Sequence, residues 1–153
     1  MYAKHGLLSD VVVVFKILPY RDTISWTALI SGYADHGHHE EALHCFEQMQ
    51  AEKVSPDIVT FMYILKACGI MGADEKGKDF HNDIVMKSFD TDSYIGNILV
   101  DMYAKCGSVE EAKAVFDGLS ERDAFSWNAL CAAYAEVGLT DEALAWFQKM
   151  QQE

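Results

Sequence analysis

The segment Glu41-Ala42-Leu43-His44-Cys45-Phe46-Glu47-Gln48-Met49-Gln50 returns 101 residues later as Glu142-Ala143-Leu144-Ala145-Trp146-Phe147-Gln148-Lys149-Met150-Gln151. The echo extends outward in both directions. Ser25-Trp26-x-Ala28-Leu29 meets Ser126-Trp127-x-Ala129-Leu130, Arg21-Asp22 meets Arg122-Asp123, and Met1-Tyr2-Ala3-Lys4-x-Gly6 meets Met102-Tyr103-Ala104-Lys105-x-Gly107. Without a gap, 24 of the 52 aligned pairs are identical. Self-similarity of this kind is the signature of a repeat architecture, and it decides the fold class before any residue is assigned a role.

A period of 101 residues exceeds one solenoid unit and must subdivide. Asp22, Asp57, Asp92 and Asp123 each precede a fresh apolar-periodic run, at intervals of 35, 35 and 31 residues. Each interval suits a two-helix unit. Trp26, Leu29, Ile30 and Tyr33 fall at i, i+3, i+4 and i+7, one face of a helix. Gly37 breaks the pattern, Glu40 and Glu41 suit the first turn of a second helix, and Ala42, Phe46 and Met49 make its stripe. Ser55-Pro56-Asp57 closes the unit. Phe61, Ile64, Leu65 and Cys68, then Phe80, Ile84 and Val85, mark the next pair. Ile98 and Met102, Gly107, then Ala112, Val115 and Phe116 mark the third. The units are therefore 23–57, 58–92 and 93–123, with 124–153 a truncated unit and 1–22 the second helix of an earlier one, all in one continuous array. Val11-Val12-Val13-Val14 favours a strand by propensity, but the repeat register places it in a helix. Helix pairs this short cannot bury their own apolar faces, so neighbouring pairs must stack, and terminal pairs should expose apolar surface. The expected product is an all-α solenoid with a concave surface lined by the first helices.

Composition bounds the function. Half the residues are hydrophobic and 24 % are charged, a globular balance. The net charge of −12 argues against a general nucleic-acid binder, although net charge does not describe the local potential of a groove. Cys45, Cys68, Cys106 and Cys131 are widely spaced, which disfavours a disulfide framework or a four-cysteine zinc site and suits small buried side chains. No stretch is long and apolar enough to span a membrane. The cluster His36-Gly37-His38-His39, with His44, reads as a solvated turn rather than a metal site. No phosphate-cradling loop, nucleophile constellation, cofactor motif or metal set stands out, and no enzymatic activity is expected.

Ile24-Ser25-Trp26-Thr27-Ala28-Leu29-Ile30-Ser31-Gly32-Tyr33, then Gly37, Glu41-Ala42-Leu43-x-x-Phe46-x-x-Met49 and Pro56-Asp57, resembles the pentatricopeptide repeat consensus. The alternation of lengths resembles the P, L and S motifs of the plant P-L-S subclass: 23–57 a P motif, 58–92 an L motif, 93–123 an S motif, 124–153 the start of another P motif, and 1–22 the end of an earlier S motif. Tetratricopeptide repeats keep one length and follow their tryptophan differently. The resemblance implies a right-handed superhelix that binds single-stranded organellar RNA, one base per repeat, through two or three side chains.

Carried onto this chain, the family's fifth and last residues touch the base edge. Thr27 with Asp57 resembles a guanine-preferring pair, and Asn97 with Asp123 a uracil-preferring one. Asn128 leans toward a pyrimidine. The L motif offers Met62 with Asp92 and is assigned no base. Second residues Ile24, Val59, Tyr94 and Phe125 would stack on base faces. The implied reading is G, any base, U, pyrimidine in the 5′ to 3′ sense. Without the resemblance, the aspartates read as helix N-caps and Thr27 and Asn97 as ordinary helix-start residues. The subclass implies C-to-U editing in mitochondria or chloroplasts, with accessory editing factors or a separate deaminase as partners. The deaminase chemistry needs His-x-Glu and Pro-Cys-x-x-Cys, of which only His38-His39-Glu40 is present. Because Met1 matches Met102 inside a repeat, an organelle-targeting segment is expected upstream. The alternative is a protein-interaction scaffold whose acidic face grips a basic partner.

Overall fold

The computed structural model describes the backbone of residues 2–152 and, outside residues 2–7 and Thr91, their side chains. Among the described residues every regular element is helical. The elements are α1 (Tyr2–Ile17), α2 (Thr23–Asp35), α3 (His39–Ala51), α4 (Ile58–Met71), α5 (Asp74–Met86), a 3₁₀ turn (Phe89–Thr91), α6 (Ser93–Lys105), α7 (Val109–Asp117), α8 (Ala124–Glu136) and α9 (Thr140–Gln152). This is an all-α helical-repeat fold. It divides into two compact parts, up to Ala67 and from Cys68 onward.

The same two devices punctuate every helix pair. An aspartate opens the first helix. A glycine in the left-handed region closes it: Gly37, Gly72, Gly107 and Gly138 have φ of 81°, 67°, 79° and 85°. At each one the chain makes a Schellman turn. Gly37 N–H donates to Ala34 O and His38 N–H to Tyr33 O, at 3.1 and 2.8 Å. Gly107 with Ser108 and Gly138 with Leu139 repeat that pairing. These bonds occupy carbonyls that a helix end otherwise leaves free. The second helices α3 and α5 have 13 residues each, whereas α7 has 9. The shorter third interval is thus one helical turn removed from the second helix, which leaves the punctuation intact.

In the N-terminal part the core is Phe15, Trp26, Leu29, Ile30, Ala42, Leu43, Phe46, Met49, Phe61, Ile64 and Leu65, all buried. Phe15 meets the edge of Trp26 at 4.6 Å between centroids, and the Arg21 guanidinium covers Phe15 at 4.6 Å. In the C-terminal part Phe116 meets Trp127 at 4.7 Å, with Arg122 over Phe116 at 4.8 Å. The sequence echo is therefore an echo of packing. Such aromatic pairs contribute about 0.5–1.5 kcal/mol beyond area burial. Elsewhere in this part Ser108 donates to Asp74 at 2.6 Å, and Lys78 reaches both Asp74 and Glu111. Val11–Val14 lies within α1, as the register required and propensity did not.

One expectation fails. Val85, expected on the inner stripe, is 47 % exposed, while its neighbour Ile84 takes the buried position. The thiols of Cys45 and Cys68 are buried, and burial raises them to about 11 and about 12. Cys106 and Cys131 are half-buried, and all four are free. Among the described residues no helix is long and apolar enough to cross a membrane. Apolar side chains stand exposed near both ends of the chain, Val13, Val14 and Ile17 on α1 and Leu144 and Phe147 on α9.

Gly107→Ala should lower the unfolding free energy by about 1–2 kcal/mol, the left-handed penalty for an L residue, because no atom lies within 4 Å of the added Cβ to clash with it. Urea titration checks this. A second expectation concerns His81, whose Nδ1 lies 2.8 Å from the Tyr103 hydroxyl. Burial holds its imidazole below the ordinary 6.5. The unfolded chain then binds more protons just below pH 6.5, so this contribution is complete above that pH and lost as pH falls. The urea midpoint should drop across this window, and less steeply in His81→Gln.

Candidate nucleic-acid interface

Four helices, α2, α4, α6 and α8, begin in the same way. In three of them the preceding aspartate accepts the backbone N–H of the third helical residue: Asp22 from Ser25, Asp57 from Thr60 and Asp123 from Ser126, each at 2.9 Å. Asp92 accepts from Tyr94 at 2.9 Å and Ile95 at 3.2 Å. Each satisfies a donor that the helix start leaves open. Hydrogen bonds from Ser25, led by its backbone N–H, hold the Asp22 carboxyl below the usual range. All four aspartates are therefore N-caps, whatever else they do.

The cap fixes the facing of the residues after it. The second residue of each helix points outward: Ile24 is 77 % exposed, Val59 46 %, Tyr94 61 % and Phe125 50 %. One exposed apolar side chain thus recurs at an equivalent place in every repeat. The third residue turns inward, and Thr60, Ile95 and Ser126 are fully buried.

Thr27 is half-buried and meets Thr60, Oγ1 to Oγ1 at 2.8 Å. The Thr60 hydroxyl donates to Asp57 Oδ1 at 2.8 Å and accepts from Asp57 N–H at 3.2 Å. The fifth and last residues of the 23–57 repeat are thus joined through a side chain of the next repeat. Nothing in the sequence reading singled out Thr60; a hydroxyl at the third position in three of the four repeats was the available signal. Asn97 sits differently. It is 8 % exposed, its Nδ2 donates to Ser93 O at 2.9 Å, and its Oδ1 is buried without a partner. Asp123 and Asn128 are exposed. Met62 is half-buried, and Asp92 caps α6.

The cations beside the last positions are engaged elsewhere. Arg21 lies over Phe15 and pairs with Glu52 at 3.6 Å. Arg122 lies over Phe116 and donates to the Phe116 and Asp117 carbonyls. In the histidine-rich turn His36 Nδ1 lies 2.7 Å from Gly32 O, and His44 contacts Gln48. Among the described residues no three His, Cys, Asp or Glu side chains gather as a metal site would require.

The PPR repeat family model matches residues 21–69, and the PPR repeat model matches 97–123 and 125–153. The chain belongs to the pentatricopeptide repeat family. Its relatives in Arabidopsis thaliana include pentatricopeptide repeat-containing protein At4g25270, chloroplastic, 41 % identical over 85 % of this chain and 25 % of that protein. Another is At3g24000, mitochondrial, 38 % identical over 99 % of this chain and 24 % of that protein. The chain spans a quarter or less of the curated relatives it matches. Among solved structures, the pentatricopeptide repeat protein PPR10 from maize aligns with TM-score 0.65 and 29 % identity, over 87 % of this chain and 20 % of that one. PPR10 in complex with an 18-nt psaJ RNA element aligns with TM-score 0.67 at 22 % identity, over the same shares, a likeness of fold.

Because asparagine caps as well as aspartate, Asp123→Asn should leave stability within a few tenths of a kcal/mol. Asp123→Ala should cost about 1 kcal/mol. Thermal melts of the two variants against the parent separate capping from any role in ligand binding.

Proposed function

We propose that this chain is the base-reading part of a longer P-L-S pentatricopeptide array that binds single-stranded RNA in a plant mitochondrion or chloroplast, in the service of C-to-U editing. Family membership, the RNA complex of PPR10 and the organellar names of the relatives support the RNA and the compartment. The 35, 35 and 31 spacing supports the subclass. The observation that carries the reading is the exposed apolar second residue at the head of every first helix. Ile24, Val59, Tyr94 and Phe125 leave water on binding if each covers a base face, and a base stacked on an aromatic gains about 1–3 kcal/mol.

The polar groups fit the assigned bases. A carboxylate only accepts, so the proton between Thr60 and Asp57 belongs to Thr60. Thr60 then has none left for Thr27, and Thr27 must donate to it. Thr27 Oγ1 and the second oxygen of Asp57 are left as acceptors only. Guanine alone offers two adjacent donors, N1–H and N2–H₂, on its pairing edge, while adenine and cytosine mix a donor with an acceptor. Asn97 Oδ1 lacks a partner, which costs about 1–3 kcal/mol, and a uracil N3–H is a donor that would satisfy it once the buried amide turns to the surface. Asn128 stands free for a pyrimidine edge.

The net charge of −12 favours a second reading, an acidic scaffold for a basic protein or an accessory editing factor. Fluorescence anisotropy with short RNAs varied at the G and U positions, at two stated salt concentrations, separates the two. The expected result is preference for the assigned bases, reduced at the U position by Asn97→Ala, with affinity falling as salt rises. Equal affinity for every RNA, with Asn97→Ala unchanged, would remove base reading and leave the scaffold.

A further inference from the structure

The Thr60 hydroxyl is saturated: it donates to Asp57 Oδ1 and accepts from Asp57 N–H and from Thr27. It is fully buried, so no water replaces any of these partners. Its single proton could go to Thr27 only by leaving two oxygens, one of them charged, facing each other at 2.8 Å with no hydrogen between them. The direction of both bonds is thereby settled by the carboxylate. We propose that Thr60, which belongs to the next repeat, is a specificity-determining positioning residue for the 23–57 repeat: it takes the Thr27 proton and so makes that repeat an acceptor-only reader of guanine. The inference rests on the base-reading proposal above.

The residue types in the sequence follow the same order. The fifth residue of one and the third of the next are Thr27 with Thr60, Met62 with Ile95, and Asn97 with Ser126. Where the fifth residue is polar, the following third residue carries a hydroxyl. Where it is methionine, the third is isoleucine. In the C-terminal part α6 and α8, which carry Asn97 and Ser126, pack together, and Ser126 Oγ donates to Asp123 O at 3.0 Å. That bond commits the Ser126 proton to a backbone carbonyl, and Asn97 Nδ2 donates to Ser93 O at 2.9 Å, so the geometry of Thr27 and Thr60 is not repeated there. Thr60 is the third residue whose hydrogen bonds join the fifth and last residues of the preceding repeat.

Thr60→Val keeps the shape and removes the hydroxyl, so Thr27 becomes free to donate as well as accept. The test measures binding of the 153-residue chain to adenosine-flanked single-stranded RNAs with cores G-A-U-U and A-A-U-U, and with C or U at the first place. The parent and Thr60→Ser should prefer G over A about tenfold, within the reach of one well-read base. Thr60→Val should fall to about twofold or less while the preference at the U position stays unchanged. A merely structural loss would weaken every RNA alike and overturn the inference. So would an undiminished G preference in Thr60→Val, which leaves base reading intact. A parent with no preference at the first place overturns base reading and this inference together. Circular dichroism verifies the fold of each variant, and Thr60→Ala supplies the same comparison if Thr60→Val fails to fold.

Discussion

A carboxylate at the head of each first helix sets the rest of the arrangement. Once Asp22, Asp57, Asp92 and Asp123 bind the open N–H groups of α2, α4, α6 and α8, the rotation of those helices is fixed at their origin. The second residue must then face out and the third in. The exposed apolar side chains and the buried hydroxyls are consequences of one hydrogen bond repeated at each start. The left-handed glycine at the other end of each first helix completes the constraint, because it returns the chain within two residues. Between that glycine and the next aspartate the second helix can be cut by a whole turn, as α7 shows, without disturbing either.

The excess of acidic groups looks at odds with a polyanionic ligand. Part of it has local work. Glu40 and Glu41, Asp74 and Glu75, Glu110 and Glu111, and Asp141 and Glu142 occupy the first turns of the second helices, where the dipole favours them. Four more carboxylates cap the first helices, and Asp101 pairs with Lys105 at 3.1 Å. These charges are needed to begin helices of 9 to 14 residues, too short to be stable on their own. Much of the −12 therefore follows from the architecture and says little about the potential where a ligand would lie.

The helical repeat and many of its core residues could be read from the sequence because periodicity at two scales agreed, although Phe15, Leu43, Leu99, Val100 and Tyr103 were not singled out. The 101-residue echo set the register, and helical spacing within each unit set the face. Register even overruled the strand propensity of Val11–Val14. Val85 and Ile84 are adjacent, and a stripe drawn from spacing alone does not choose between them. At the site, the second residues were singled out by the resemblance and not by spacing. The burial of Asn97 did not follow from the register, because it depends on how α8 covers α6. The link from Thr27 to Asp57 passes through a residue 33 positions from Thr27, in another repeat, and no reading confined to one repeat contains it.

That link changes what a repeat is. If each reader were complete within its own two helices, repeats could be exchanged freely and the base read would depend on two positions. The bond between Thr27 and Thr60 instead ties the start of one repeat to the fifth residue of the one before, which on the proposed reading is part of the binding edge. A threonine is ambiguous by itself, since its hydroxyl both donates and accepts. Next to a buried hydroxyl whose proton is held by a carboxylate, it has one polarity. On the proposed reading, discrimination between guanine and adenine comes from rejection as well as attraction: an acceptor-only edge leaves adenine N1 facing another lone pair. Desolvated mismatches of that kind cost more than a missing contact. A methionine followed by isoleucine abandons polarity at both positions together, as the proposed reading asks of a unit assigned no base.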